Sequence, residues 1–192
     1  MASIAIVFHS GYGHTAAVAE SVRAGAGSVA SAAVSLIRVQ NDGTIAEAAW
    51  AQLESADAIV FGAPTYMGSA SGPFKLFLDS TSKVWMRQGW KGKFAAGFTN
   101  SGSWGGDKLS TLIQFVVLAC QHGMLWVPLG LMPGFNSSKG AATDLNRTGF
   151  FLGLATQSNT DEGPDVAPPA ADHETARAFG RHIAETVARL RG

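Results

Sequence analysis

Short apolar runs that stop at glycine- and hydroxyl-rich turns alternate along this chain with segments of helical period. That alternation constrains the fold more than any other feature. Ser3 to His9 is almost continuously apolar and ends at Ser10-Gly11, as a strand buried on both faces does. Thr15, Val18, Ala19, Val22 and Ala26 follow at helical spacing, closed by Gly25 and Gly27. Val34, Leu36, Ile37 and Val39 predict a second strand, and Thr44 to Glu54 a short helix. Asp57 to Gly62 repeats the first run, a third strand expected to end at Ala63-Pro64-Thr65 because Pro cannot continue a sheet ladder. Phe74, Phe77, Leu78 and Thr81 predict a helix, and Phe94 to Asn100 a fourth strand. Leu109, Leu112, Ile113, Val116, Val117 and Cys120 form a helical stripe over three turns, and Met124 to Gly130 a fifth strand. The last helix spans Asp172 to Leu190, with Ala176, Phe179, Ile183, Val187 and Leu190 inward. Leu131 to Ala171 fits no period, as a lid, binding loop or interface arm would.

Five strands alternating with five helices predict an open, mostly parallel sheet covered on both faces, a doubly wound α/β domain spanning residues 1–192. With 192 residues and 46% hydrophobic content the chain can bury one sizeable core. Fourteen basic residues against fourteen acidic ones give zero formal charge, which argues against nucleic acid or an anionic membrane as partner and makes recognition local. The single Cys120 excludes an intramolecular disulfide and a multi-thiolate zinc site, and fits a reducing compartment. No metal site is expected. No signal peptide and no membrane span are expected, so the location read from the sequence is cytoplasmic.

Twenty-three glycines are well above the ordinary ~7% share, and they ask for a backbone reason. In open parallel sheets ligands bind beyond the carboxyl ends of the strands. After the first strand come Ser10, Gly11, Tyr12, Gly13, His14 and Thr15, where backbone N–H groups, two hydroxyls and a helix N-terminus converge on an anion. The loop holds no Lys or Arg, which suits one phosphate ester rather than a triphosphate. Gly11, Gly13 and Ala16 also satisfy a dinucleotide fingerprint, but Arg38-Val39-Gln40 stands where its acidic residue belongs; a plain strand-to-helix turn is a third alternative. Pro64, Thr65, Tyr66, Met67 and Gly68 follow the third strand. Asn100, Ser101, Gly102, Ser103, Trp104 and Gly105 follow the fourth. The aromatics and Met67 offer flat faces to a planar ring, and the backbone and Asn100 offer donors to its edge, although Tyr66 and Trp104 taken singly also fit ordinary packing.

These loops, with Phe61-Gly62-Ala63-Pro64-Thr65, Phe77-Leu78-Asp79, Trp85, His122-Gly123-Met124 and Val127-Pro128-Leu129-Gly130, resemble the WrbA-type NAD(P)H:quinone oxidoreductases, a flavodoxin-like family that binds FMN. The resemblance implies a five-stranded parallel sheet of order 2-1-3-4-5. It implies that Ser10 to Thr15 hold the FMN phosphate, that Pro64 to Gly68 line one side of the ring, and that Asn100 to Gly105 wrap the other side and the ribityl chain. It makes His122 a catalytic residue donating to a ring oxygen, and Trp85 a cover on the substrate side, often from a neighbouring subunit. The implied reaction is hydride transfer from NADH or NADPH through FMN to a small-molecule quinone, in a homodimer or homotetramer. Two departures stand out: the connection Asn41 to Asp57 lacks a family insertion used in tetramer contacts, and Tyr66 replaces a common Arg. Alternatives are an electron-carrying flavodoxin, which is usually strongly acidic, and an FMN, nitro or azo reductase. Arg38 and Arg87 are candidates for contact with the nicotinamide cofactor.

Overall fold

A computed structural model describes residues 1–191. The elements in order are β1 (Ala2–Phe8), α1 (His14–Gly27), β2 (Ala32–Arg38), α2 (Glu47–Ser55), β3 (Ala58–Tyr66), β4 (Ser69–Ala70), α3 (Gly72–Ser80), α4 (Ser82–Met86), β5 (Phe94–Ser101), α5 (Lys108–Gln121), β6 (Leu125–Trp126), β7 (Leu154–Gln157) and α6 (Ala170–Arg191). The sheet order is β2-β1-β3-β5-β6, all parallel, with β7 also beside β5 and the two-residue β4 antiparallel to β3. This is the doubly wound arrangement expected from the alternation, in the strand order that the family resemblance implies. The expected fifth strand is shared by two pieces.

The division of that strand has a backbone cause. Leu125 and Trp126 pair with Phe94 and Ala95, and Val127 N still donates to Ala95 O at 2.7 Å. Pro128 then has no N–H to give, and the chain leaves the sheet. It returns at Leu154, so that Leu154–Gln157 pair with Phe98–Ser101. The aperiodic segment therefore contains a strand that hydropathy did not announce.

Pro64 does not end β3. Gly62 O accepts from His9 N at 3.0 Å, so the backbone groups of residues 62 and 64 face the β1 side, and β1 has already ended at Phe8. The missing proline N–H faces a vacated position, Pro64 still pairs with Asn100, and its carbonyl accepts from Ser71 N at 3.2 Å.

The core forms two layers, one on each face of the sheet. α1 and α6 cover the first, with Val18, Val22, Phe179 and Ile183 against Ile4, Ile6 and Phe98. α2, α3 and α5 cover the second, around Phe61, Phe74, Phe77, Trp90 and Phe115. Two predicted stripes need correction. Leu190 is exposed, and α5 buries Lys108, Thr111, Leu112, Phe115, Leu118 and Ala119 while Leu109, Ile113 and Val117 are about half exposed and Cys120 faces outward. Apolar residues surround α5, so period alone could not set its phase. The polar Thr111 can turn inward because its hydroxyl meets that of Thr65 at 2.8 Å.

Candidate functional site

At the carboxyl ends of β1, β3 and β5 the chain forms a cleft of ≈ 710 Å³, a size that suits a small organic ligand. Ser10, Tyr12, His14 and Thr15 line it from the first loop, Pro64, Thr65 and Tyr66 from the second, and Asn100, Ser101 and Gly102 from the third. The structure thus brings the three predicted loops together.

The first loop is wound by Gly13, whose φ of 96° is left-handed and places it as the N-cap of α1. Gly13 N donates to Ser10 Oγ at 3.1 Å. The first-turn amides of α1 and the Ser10 and Thr15 hydroxyls gather there, with no acidic residue in the helix's first turn. His9 braces the loop from behind. Its Nε2 faces Asn41 Oδ1 at 3.3 Å, an oxygen that only accepts, so Nε2 carries the proton and Nδ1 accepts from Ser71 Oγ at 2.8 Å. Burial is the main reason His9's pKa is lowered; the Asn41 bond opposes it and Arg38 adds to it. Arg38 donates to Ser10 O at 3.4 Å, in the first loop of the cleft, and Arg87 forms a half-exposed pair with Glu54 at 3.1 Å.

Tyr66 leans over this loop. A Cβ on Gly11 would lie 2.7 Å from its hydroxyl, and its ring meets Tyr12 edge-on at 6.3 Å. Burial, then the neighbouring Tyr12, raise its pKa, which keeps the phenol a donor across the neutral range. Asn100 Oδ1 already accepts from the Thr156 and Ser158 hydroxyls at 2.8 and 3.0 Å, which leaves its NH₂ as the end available to a ligand. Thr65 is committed inward, to Thr99 at 2.7 Å and Thr111. Met67 is fully exposed, and neither it nor Gly68 lines the cleft.

Ser103, Trp104 and Gly105 do not line the cleft either. Trp104, expected to face a planar ring, instead stacks on the Arg147 guanidinium at 4.4 Å. Arg147 is buried and held by Asp172 at 2.6 Å, so the indole follows a fixed cation.

His122 and Trp85 are not in this cleft. His122 caps the C-terminus of α5 just before β6, beside Phe94 where β5 begins, and β5 runs about 23 Å to the cleft. It and Trp85 line a second cavity of ≈ 480 Å³ between α3, α4 and α5. His122 Nε2 lies 3.0 Å from Thr81 Oγ1, whose own proton goes to Leu78 O, so Nε2 donates and Nδ1 is left a buried acceptor without a partner among the described residues. Its pKa is lowered by burial, its ring packs on Trp90 at 4.6 Å, and its free nitrogen accepts rather than donates.

The sequence reading missed one wall. Ser158, Thr160, Asp161, Glu162 and Gly163, from the aperiodic segment, close the cleft opposite the strand-end loops. Pro164 packs on Gly13, and His14 Nε2 meets Glu162 O at 2.8 Å. Asp161-Glu162-Gly163-Pro164 was visible as a turn, but nothing local tied it to the first loop.

An anion nest of backbone and hydroxyl groups, a cleft of ≈ 710 Å³ lined by aromatic and amide side chains, and an open parallel sheet define a flavodoxin-like nucleotide-binding protein. Residues 14–132 match the family of NADPH-dependent FMN reductases, and the chain belongs to that family and to its WrbA-type, flavodoxin-like members. It is 42% identical over 184 residues to "Flavodoxin FldP" of Pseudomonas aeruginosa, covering 96% of each chain. It is 33% identical to an "NAD(P)H dehydrogenase (quinone)" of Solidesulfovibrio magneticus, over 98% of this chain and 99% of that one. Among solved structures, a WrbA-like flavodoxin from Agrobacterium tumefaciens superposes with a TM-score of 0.79 at 38% identity, covering 98% of this chain and 99% of that one.

Proposed function

We propose that this chain binds FMN and reduces quinones by two electrons at the expense of NADH or NADPH, in a ping-pong cycle through one site. The observation that carries this is the cleft itself, whose anion end is built from backbone and hydroxyls with the Tyr66 phenol leaning over it, and whose wall after β5 offers the Asn100 amide. Ser10 to Thr15 would hold the phosphate, Pro64 to Tyr66 one side of the ring, and Asn100 to Gly102 its other side and the ribityl chain, with Met67, Gly68 and Ser103 to Gly105 outside the cleft wall. Bound FMN supplies hydride uptake from the nicotinamide and delivery of two electrons to the quinone. The protein's part is to orient the ring, exclude water from one face, and aim donors at its polar edge where negative charge grows on reduction. Such chemistry needs no acid–base triad.

Trp85 and His122 reach such a ring only from another copy of the chain, which makes the working unit a homodimer or homotetramer. The half-exposed Leu109, Ile113 and Val117 of α5 support this, since they carry no charge and Val117 lines the cavity that holds Trp85 and His122. The unpaired Cys120 fits a cytoplasmic, reducing location, and no helix among the described residues is long and apolar enough to cross a membrane. Initial-rate kinetics with NADH and benzoquinone should give parallel reciprocal plots; intersecting lines overturn the shared site.

A second reading is an electron carrier. It is favoured by the relative named flavodoxin and by Asp161, Glu162 and Asp165, exposed beside the cleft despite the chain's zero net charge. A carrier oxidises NAD(P)H negligibly with FMN and quinone present, yet takes electrons from a reductase protein. An FMN, nitro or azo reductase differs only in its acceptor, and an acceptor panel separates it.

A further inference from the structure

The loop after β5 is held from below by two side chains that do not reach the cleft. Lys108, the first residue of α5, is fully buried, and its Nζ donates to Ser103 O at 2.5 Å and Trp104 O at 2.9 Å. Gln157 Nε2 donates to Gly102 O at 2.9 Å. Three consecutive carbonyls are thus each held by a buried side-chain donor.

A trans peptide unit points its N–H opposite to its C=O. The N–H groups of Ser103, Trp104 and Gly105 therefore point away from the side chains that hold the carbonyls before them. None of the three donates to a backbone carbonyl among the described residues. Successive N–H groups of this kind form a concave, partly positive surface suited to an anionic or electron-rich edge. A lysine is costly to bury, and its nearest charges are Asp172 of α6 and Arg147 of the β6–β7 connection, which already pair with each other. The orientation of the loop is what that cost supports.

We propose that Lys108, with Gln157, is a positioning residue that fixes the peptide orientation of residues 102–105, so that Gly102, the last residue of the loop to line the cleft, keeps its place there and the N–H groups just beyond it meet the polar edge of a flavin ring that extends past the cleft wall. This rests on the flavin reading above. Burial lowers the Lys108 pKa to about 8, Asp172 opposing and Arg147 adding to the effect. Below that pH the lysine is a charged donor, the stronger kind; above it the carbonyls are held by a neutral amine. Affinity for the flavin ring therefore falls as pH rises through about 8.

The test is binding of riboflavin and of FMN to the flavin-free protein, followed by flavin fluorescence from pH 6.5 to 9.5, for wild type, Lys108→Met and Gln157→Leu. Ring contacts are common to both ligands, so each variant should weaken both by about tenfold, the value of about one hydrogen bond. Lys108→Met should also lose the wild type's pH dependence near 8. A merely structural role would leave riboflavin affinity and its pH profile unmoved in a folded variant. Should Lys108→Met fail to fold, Gln157→Leu and the wild-type pH profile decide. Unchanged affinity in folded variants, or a flat wild-type profile, overturns this inference and leaves the flavin reading standing; a wild type that binds neither ligand overturns both.

Discussion

Gly13 and Pro164 are in direct contact: a Cβ on Gly13 would lie 2.7 Å from Pro164 Cγ. The loop after β1 and the 158–166 segment, far apart in sequence, thus share one wall of the cleft. Gly13→Ala should meet both this contact and the unfavourable φ of 96°, at a cost of about 1–3 kcal/mol. Urea denaturation checks the stability. Limited proteolysis of the 158–166 segment should show it cut faster in the variant, because its packing against α1 is pushed away.

Ser10 does its work through its hydroxyl, which accepts from Gly13 N and lines the anion end of the cleft. Ser10→Ala should weaken FMN about tenfold and leave riboflavin, which has no phosphate, unchanged. Equal losses for the two ligands would place the phosphate elsewhere.

Much of this was legible from the sequence, for physical reasons. Strands buried on both faces must be continuously apolar, and turns that wrap a ligand need glycine, so β1, β3, β5 and the loops after them could be read directly. β7 could not, because Thr156 and Gln157 are polar and become strand residues only through partners such as Asn100 and Asp172. The phase of α5 was hidden by apolar residues all round it. Trp104 turned away from the cleft because Arg147, distant in sequence, offers it a buried cation. His122 kept its place beside β6, but one chain's topology puts that place at the wrong end of the sheet for its own cleft.

Arg147 and Asp172 form a buried pair, 6% and 2% exposed, with Asp172 also accepting from Gln157 N at 2.8 Å. Asp172→Ala leaves Arg147 uncompensated near Lys108 and should cost about 3–5 kcal/mol. Arg147→Met combined with Asp172→Leu should recover most of it, because an apolar pair has no charge to desolvate. Chemical denaturation of the two single variants and the double variant checks this. Additive losses would deny the coupling.

His9, His122 and His173 all have pKa values lowered below 6.5, in each case with burial as the leading cause. The unfolded chain binds protons at a higher pH than the folded one. The stability from keeping these rings neutral is complete above pH 6.5 and is lost as pH falls through their folded values. His122→Phe removes one of the three and the unpartnered Nδ1 with it. Melting temperatures from pH 8 to pH 5 should therefore fall less steeply in the variant, and parallel curves would mean that His122 does not titrate with unfolding.

The α5 face bears on the quaternary reading. Leu109, Ile113 and Val117 recur at helical spacing, are 49%, 48% and 52% exposed, and continue into the cavity that carries Trp85 and His122. An isologous contact needs a self-complementary patch, which an uncharged stripe provides without opposing like charges. Val117→Glu places a carboxylate in that contact from each copy. It should shift the protein to monomer in analytical ultracentrifugation while leaving FMN affinity intact, because Ser10 to Thr15 and Asn100 to Gly102 come from one chain. Quinone reduction should fall with the assembly. A variant that stays assembled, or a monomer with full activity, would show that each cleft works without its neighbour's Trp85 and His122.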